Sequence, residues 1–232
     1  MVTAITTTTM PDPATLRLWQ LISPTLPVGA YAYSAGLETA VAGGTVRDGP
    51  GLGDWLAGQA QALLVPVDLP ALARLMRAWT AGDAEALGYW TDWLRAARET
   101  AELRAEDEHM GRALARLLVS LGESDAGDWD APGRTSWATL FALAASRWDI
   151  GVEDAAAGYL WAWLENQVAA GVKLIPLGQS EGQRVLFELG ARVPEWARAA
   201  LGLADEALGG SAPGVAIASS RHETQYTRLF RS

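Results

Sequence analysis

Apolar residues along this chain recur at three- and four-residue spacing rather than in alternation, and that rhythm predicts a succession of helices. Leu16, Trp19 and Ile22 mark a short helix over Pro11–Ile22, with Pro13 suited to its first turn. A second helix starts near Ser34 and stops at Gly43-Gly44. The next opens at Gly53 or Asp54 and ends at Pro66. Asp68 then caps a helix whose Leu72, Leu75, Met76 and Trp79 share one face. Gly82-Asp83 closes that helix and starts one striped by Leu87, Trp90, Trp93, Leu94 and Ala97. A densely charged stretch, Arg98 to Arg112, runs on into Leu114, Leu117, Leu118 and Leu121. Its charges read either as a solvated face knitted by i,i+4 ion pairs or as a contact face for a charged partner. Beyond a polar joint at Gly122–Gly133, helices are predicted over Ser136–Trp148, from Glu153-Asp154 to Ala170, over Gln179–Leu189 and over Pro194–Leu208. No strand alternation stands out. The expectation is an all-α fold: a single-domain bundle of about ten helices without significant sheet over residues 11–232, preceded by a flexible threonine-rich arm at residues 1–10.

Three stretches depart from the helical rhythm. Ser23–Glu38 is apolar but irregular, with Pro24, Pro27 and Gly29, so it must pack against the body. Gly171–Gln179 places Lys173 in a nearly apolar run; the amine either snorkels to the surface or is desolvated beside a carboxylate. The last is Ala218–Ser232, which sets Arg221, Arg228 and Arg231 among His222, Tyr226, Leu229 and Phe230. Guanidinium groups interleaved with apolar anchors make an adhesive strip for a partner, or a last helix that packs its apolar side inward.

Composition narrows the chemistry. Half of the 232 residues are hydrophobic and the formal net charge is −9, which describes a folded protein and argues against nucleic-acid binding. There is no cysteine, and His109 and His222 are the only histidines, so no disulfide, thiolate zinc site, iron–sulfur cluster or resident metal cage is expected. His109 beside Glu106 and Glu108 offers too few ligands. The first ten residues lack the charged and apolar regions of a signal peptide, and no apolar run reaches membrane-spanning length. A soluble cytoplasmic protein without a cofactor is expected. Nine of the eleven tryptophans fall in helix-like surroundings and read as core anchors. Neither a phosphate-binding GxxxxGK[ST] loop nor a strand-borne GxGxxG is present. Acid–base chemistry by Tyr33, Glu38 or Lys173, Schiff-base chemistry at Lys173, and a helical ligand-responsive regulator remain open on residue types alone.

Five segments, in order, carry a family resemblance. They are Leu26-Pro27-Val28-Gly29 with Tyr33-Ser34 and Gly36-Leu37-Glu38; Val67-Asp68-Leu69-Pro70; Arg98-Glu99-Thr100 with Glu102-Leu103-Arg104; Ala170-Gly171-Val172-Lys173-Leu174 with Pro176; and Arg221-His222-Glu223-Thr224-Gln225-Tyr226 with Arg228 to Ser232. In these the chain resembles the urease accessory protein UreF family along almost its whole length; Ala30, where a second glycine is frequent, is a small departure. The resemblance implies an all-helical, usually dimeric adaptor that is not itself an enzyme. It would join the GTPase UreG and the scaffold UreD, also called UreH, for nickel insertion into apo-urease, and influence GTP turnover. Partner-binding residues expected on this basis are Tyr33, Glu38, Lys173, Arg221, His222, Glu223, Gln225, Tyr226, Arg228, Phe230 and Arg231. Deleting Arg221–Ser232 is expected to leave a folded protein that no longer assembles.

Overall fold

The computed structural model describes residues 10–232, so nearly all of the predicted N-terminal arm, residues 1–9, lies outside the described residues. The described chain is all-α, with eleven α-helices and no strand. They are α1 (Pro13–Leu21), α2 (Leu37–Ala42), α3 (Gly49–Gln59), α4 (Leu69–Ala81), α5 (Ala84–Ala97), α6 (Ala101–Ser120), α7 (Trp137–Arg147), α8 (Val152–Leu174), α9 (Gln179–Gly190), α10 (Val193–Leu201) and α11 (Pro213–His222). Short side chains set several starts. Asp12 accepts from the Thr15 amide at 2.7 Å, Asp83 from Ala86 at 3.0 Å, Thr100 from Leu103 at 3.2 Å and Ser136 from Thr139 at 3.2 Å. The core gathers around α7, where every residue from Thr135 to Ala145 is buried between α4, α6 and α8. Trp137 and Trp196 are buried, and eight further tryptophans pack at the rim of the core, whereas Trp19 is exposed.

Several boundaries differ from the sequence pattern. The third helix starts at Gly49, not at Gly53 or Asp54, because Asp48 caps it by accepting from the Gly51 amide at 2.8 Å. It also does not end at Pro66. Residues Ala60–Asp68 form a π-helical stretch that joins α3 to α4 in one helix of 33 residues, Gly49–Ala81. Proline has no N–H to give to the i−4 carbonyl, so an α-helical bond is missing there. The freed Ala62 carbonyl lies against Gly210, where any side chain would collide, and the Pro66 carbonyl accepts from the Gly209 amide at 3.0 Å. This joined helix is long and apolar enough to cross a membrane, with an 18-residue window of mean hydropathy 1.2, contrary to the expectation that no run reaches that length. Since 61% of that window is buried inside the molecule, it is the core helix of the bundle. Asp68 caps nothing, because it sits inside the helix and its carboxylate turns to Arg98.

The joint at Gly122–Gly133 is pinned rather than free. It contains a 3-10 turn over Ser124–Trp129, Asp130 meets Arg112 and Arg116 at 2.9 Å each, and Glu108 accepts from the Gly133 amide at 3.1 Å. α8 runs four residues past Ala170, and the helix predicted to reach Leu208 stops at Leu201, followed by a 3-10 turn at Asp205–Ala207.

Candidate partner-docking site at the C-terminal strip

Beyond α11 the chain folds back across α2 and α6. Three elements meet there because two of them bring carboxylates and the third brings hydrogen-bond donors. α2 brings Glu38 in its first turn, at the end of the irregular loop, and α6 brings Glu102 and Glu106, which share a face at four-residue spacing. The strip supplies the donors. His222 is fully buried; its Nδ1 lies 2.8 Å from Glu102 Oε2 and its Nε2 3.3 Å from Glu38 Oε2. The Leu229 amide donates to Glu38 Oε1 at 2.7 Å and the Phe230 amide to Glu38 Oε2 at 2.8 Å, with Gln225 Nε2 donating at 3.4 Å. One buried carboxylate therefore gathers three donors from residues 225–230 and also faces the His222 ring. Arg228 reaches Glu102 Oε1 at 3.3 Å. Ser232 donates its hydroxyl to Glu106 at 2.7 Å, and its carbonyl accepts from the Ser34 hydroxyl and from the Ser34 amide. The Arg231 amide donates to Ala32 O at 2.8 Å, and Thr39 Oγ1 donates to Gln225 Oε1 at 3.0 Å.

Electrostatics follow from this closure. Burial pushes the Glu106 carboxyl up to about 7, partly opposed by the Ser232 hydrogen bond and by Arg98. Burial also raises the Tyr33 phenol, with Arg231 beside it working the other way; Tyr33 Oη lies 3.0 Å from His109 Nδ1.

α11 is itself held by the charged segment that opens α6. The Thr100 hydroxyl lies 2.7 Å from Ser219 Oγ, and Glu99 accepts from Ser211 Oγ at 2.8 Å. Arg98 grips Asp68 with both Nη atoms, at 2.6 and 3.1 Å, and touches Asp107 at 3.1 Å; Tyr159 donates to Asp68 at 3.0 Å. The ion pairs of this segment thus join separate elements, and among the described residues none of them is an i,i+4 pair.

The eleven residues predicted to bind partners divide by face. Tyr33, Glu38, His222 and Phe230 are buried and hold the strip down, and Gln225 is half-buried. Lys173, Arg221, Glu223, Tyr226, Arg228 and Arg231 are exposed, with the Tyr226 side chain wholly in solvent; Leu229 and Ile217 are also exposed. The inner side of the strip is packed, as the reading of an inward-packing last element expects, and the outer side presents arginine, tyrosine and aliphatic groups to water. Lys173 snorkels. The residue is exposed and its Nζ lies 5.7 Å from the Phe230 ring centroid, so the desolvated amine that Schiff-base chemistry requires is not formed.

The family model described as UreF matches residues 46–190, well over half of the chain. The urease accessory protein UreF of Alkalilimnicola ehrlichii is 58% identical over 228 residues, covering 98% of this chain and 100% of that protein. Those of Hahella chejuensis and Chromohalobacter salexigens are 48% and 47% identical, covering 96% and 95% of this chain and 100% and 96% of theirs. The chain belongs to the UreF family. The relatives are named as accessory proteins and not as enzymes, and this chain is an accessory protein of the same kind.

Three of the family-like segments converge on the strip, which is itself the fifth. Tyr33, Ser34 and Glu38, the Arg98–Arg104 run, and Lys173 all touch it or hold what touches it. Sequence reasoning missed Glu102 and Glu106 as parts of the site. Their signal was available: two carboxylates one helical turn apart in an acidic segment, and a cationic strip elsewhere needing counter-charge.

Proposed function

We propose that this chain is the adaptor of urease maturation, bridging the GTPase UreG and the scaffold UreD (UreH) for nickel insertion into apo-urease, modulating the GTPase, and acting in the cytoplasm as a homodimer. Family membership supports the maturation role. The observation that carries the docking role is the two-sided strip: inward groups fix its path, so Arg221, Tyr226, Arg228, Leu229 and Arg231 are presented in a set arrangement. Such a surface suits a protein partner with carboxylates around an apolar patch, because guanidinium groups and tyrosine are the side chains that most often anchor interfaces. Lys173 continues the exposed cationic side from α8.

The test is to express a urease operon lacking its UreF gene with and without this chain. Restored nickel content and urease activity are expected; an apo-urease that stays inactive despite full expression of the chain would overturn the proposal.

A further inference from the structure

A cavity of about 150 Å³ lies between the end of α1, the loop that follows it, the π-helical stretch, α6 and α8. Space of that size holds a molecule of about the bulk of benzene. Much of the wall is apolar, with Leu63, Met110 and Trp163 among it, and exposed Pro24 and Glu99 line it where it meets solvent. Five acidic side chains border it, Asp68, Glu99, Glu106, Asp107 and Glu165, against the single cation Arg98. Arg98 gives its Nη atoms to both oxygens of Asp68 and, at 3.1 Å, to Asp107 Oδ1, which also accepts from the Trp137 amide at 3.2 Å. Asp107 Oδ2 is left buried without a donor, and Gln59 Nε2 without an acceptor. Both residues line the cavity and are only 6% and 3% exposed, so bulk water does not answer them. The unbonded Gln59 carboxamide is free to turn its oxygen towards a donor. Among the described residues no three acidic or histidine side chains converge to hold a metal ion, so the missing positive charge belongs on an organic group.

We propose that this cavity is a binding site for a small organic cation: an amidinium or ammonium head on a flat apolar body. Asp107 accepts from the head, and Met110 and Trp163 enclose the body. Arg98 is a positioning residue, fixing the Asp107 carboxylate through Oδ1 so that Oδ2 is left for the ligand. The site is independent of the outer face of the strip and of whatever docks there.

The experiment is methyl NMR on the full chain with carbon-13 labels on its methionines, titrated with benzamidine, benzamide and benzoate, which share a ring and differ in the charge of the head. Of the described methionines, Met10, Met76 and Met110, only Met110 lines the cavity. Benzamidine should shift the Met110 methyl, assigned through Met110→Leu, along a saturable curve while Met10 and Met76 stay in place. Benzamide should bind at least about tenfold more weakly, because its neutral head makes no charge-paired bond to Asp107, and benzoate should not bind. Ala162→Phe, which fills the cavity from α8, should abolish benzamidine binding, and Asp107→Asn should weaken it by about tenfold or more. No saturable shift at Met110, equal shifts at all three methionines, benzamide held as tightly as benzamidine, or undiminished binding by a folded Ala162→Phe or Asp107→Asn chain would each overturn the site. The wild-type titration decides location and charge preference by itself, so a variant that fails to fold leaves neither open.

Discussion

Replacing Arg98 by methionine removes the one cation that holds two buried carboxylates. The side chains of Asp68 and Asp107 are 4% and 6% exposed and that of Arg98 is 16% exposed, so water cannot take over its role. Coulombic attraction to Asp107 and Asp68 keeps the guanidinium well above its ordinary value even though burial pulls the other way. Breaking a buried pair by removing one partner commonly costs about 3–5 kcal/mol. Here Tyr159 still donates to Asp68 at 3.0 Å and the Trp137 amide to Asp107 at 3.2 Å. These bonds keep the cost nearer the lower bound, about 3 kcal/mol. With a urea slope of about 2–3 kcal/mol per molar, the unfolding midpoint should fall by roughly 1–1.5 M, read by far-UV circular dichroism. Combining Arg98→Met with Asp68→Asn and Asp107→Asn removes the stranded charges and should recover most of the loss. A loss below about 1 kcal/mol in the single variant, or a triple variant worse than the single, would refute this account of the pair.

Further expectations concern the strip and the helix contacts. Glu106 titrates higher in the folded chain, at about 7 against 4.5, so its contribution is greatest below 4.5 and is lost as pH rises through 7. Glu106→Gln should therefore gain stability over wild type across that window, by at most about 3 kcal/mol and less because the side chain is not sealed from water; a constant difference in urea midpoints between pH 4.5 and 8 would contradict it. Phe230 is 6% exposed, and Phe230→Ala should cost about 3 kcal/mol, seen as a lowered melting temperature; an unchanged melt would mean the strip is not part of the fold. By the same packing, deleting Arg221–Ser232 should destabilise the body as well as block assembly, since it strips Glu38 and Glu102 of their donors. A Cβ at Gly111 would lie 2.8 Å from the Ser136 backbone at the start of α7, so Gly111→Ala should destabilise by about 1–3 kcal/mol in a denaturant titration; a neutral result would show that α6 and α7 can move apart freely.

What the sequence discloses and what it hides differ by range. Apolar spacing, together with Asp12, Asp83, Thr100 and Ser136 beside helix starts, was enough for the all-α class and most helices, because these signals act within one turn. Pro66 misled because a tertiary contact, Gly209-Gly210 against the Ala62–Pro66 backbone, supports a π stretch where local rules end a helix. Asp68 carries the composition of a cap, but its partner is thirty positions away in Arg98. The strip was legible as unusual from its arginines and aromatics. That it lies closed on Glu38, Glu102 and Glu106 was not, because those bonds span 120 to 192 residues and one sequence gives no pairing for such distances.

The central claim is that the inner face of the strip holds it while the outer face meets partners. The most direct measurement is co-purification of UreD and UreG with Arg221→Ala/Tyr226→Ala, two changes at exposed residues, alongside its melting temperature. The account predicts an unchanged melt and at least a tenfold loss of captured partner, since anchors of this kind commonly cost more than about 1 kcal/mol each. Wild-type capture by that variant, with the same melt, would contradict it.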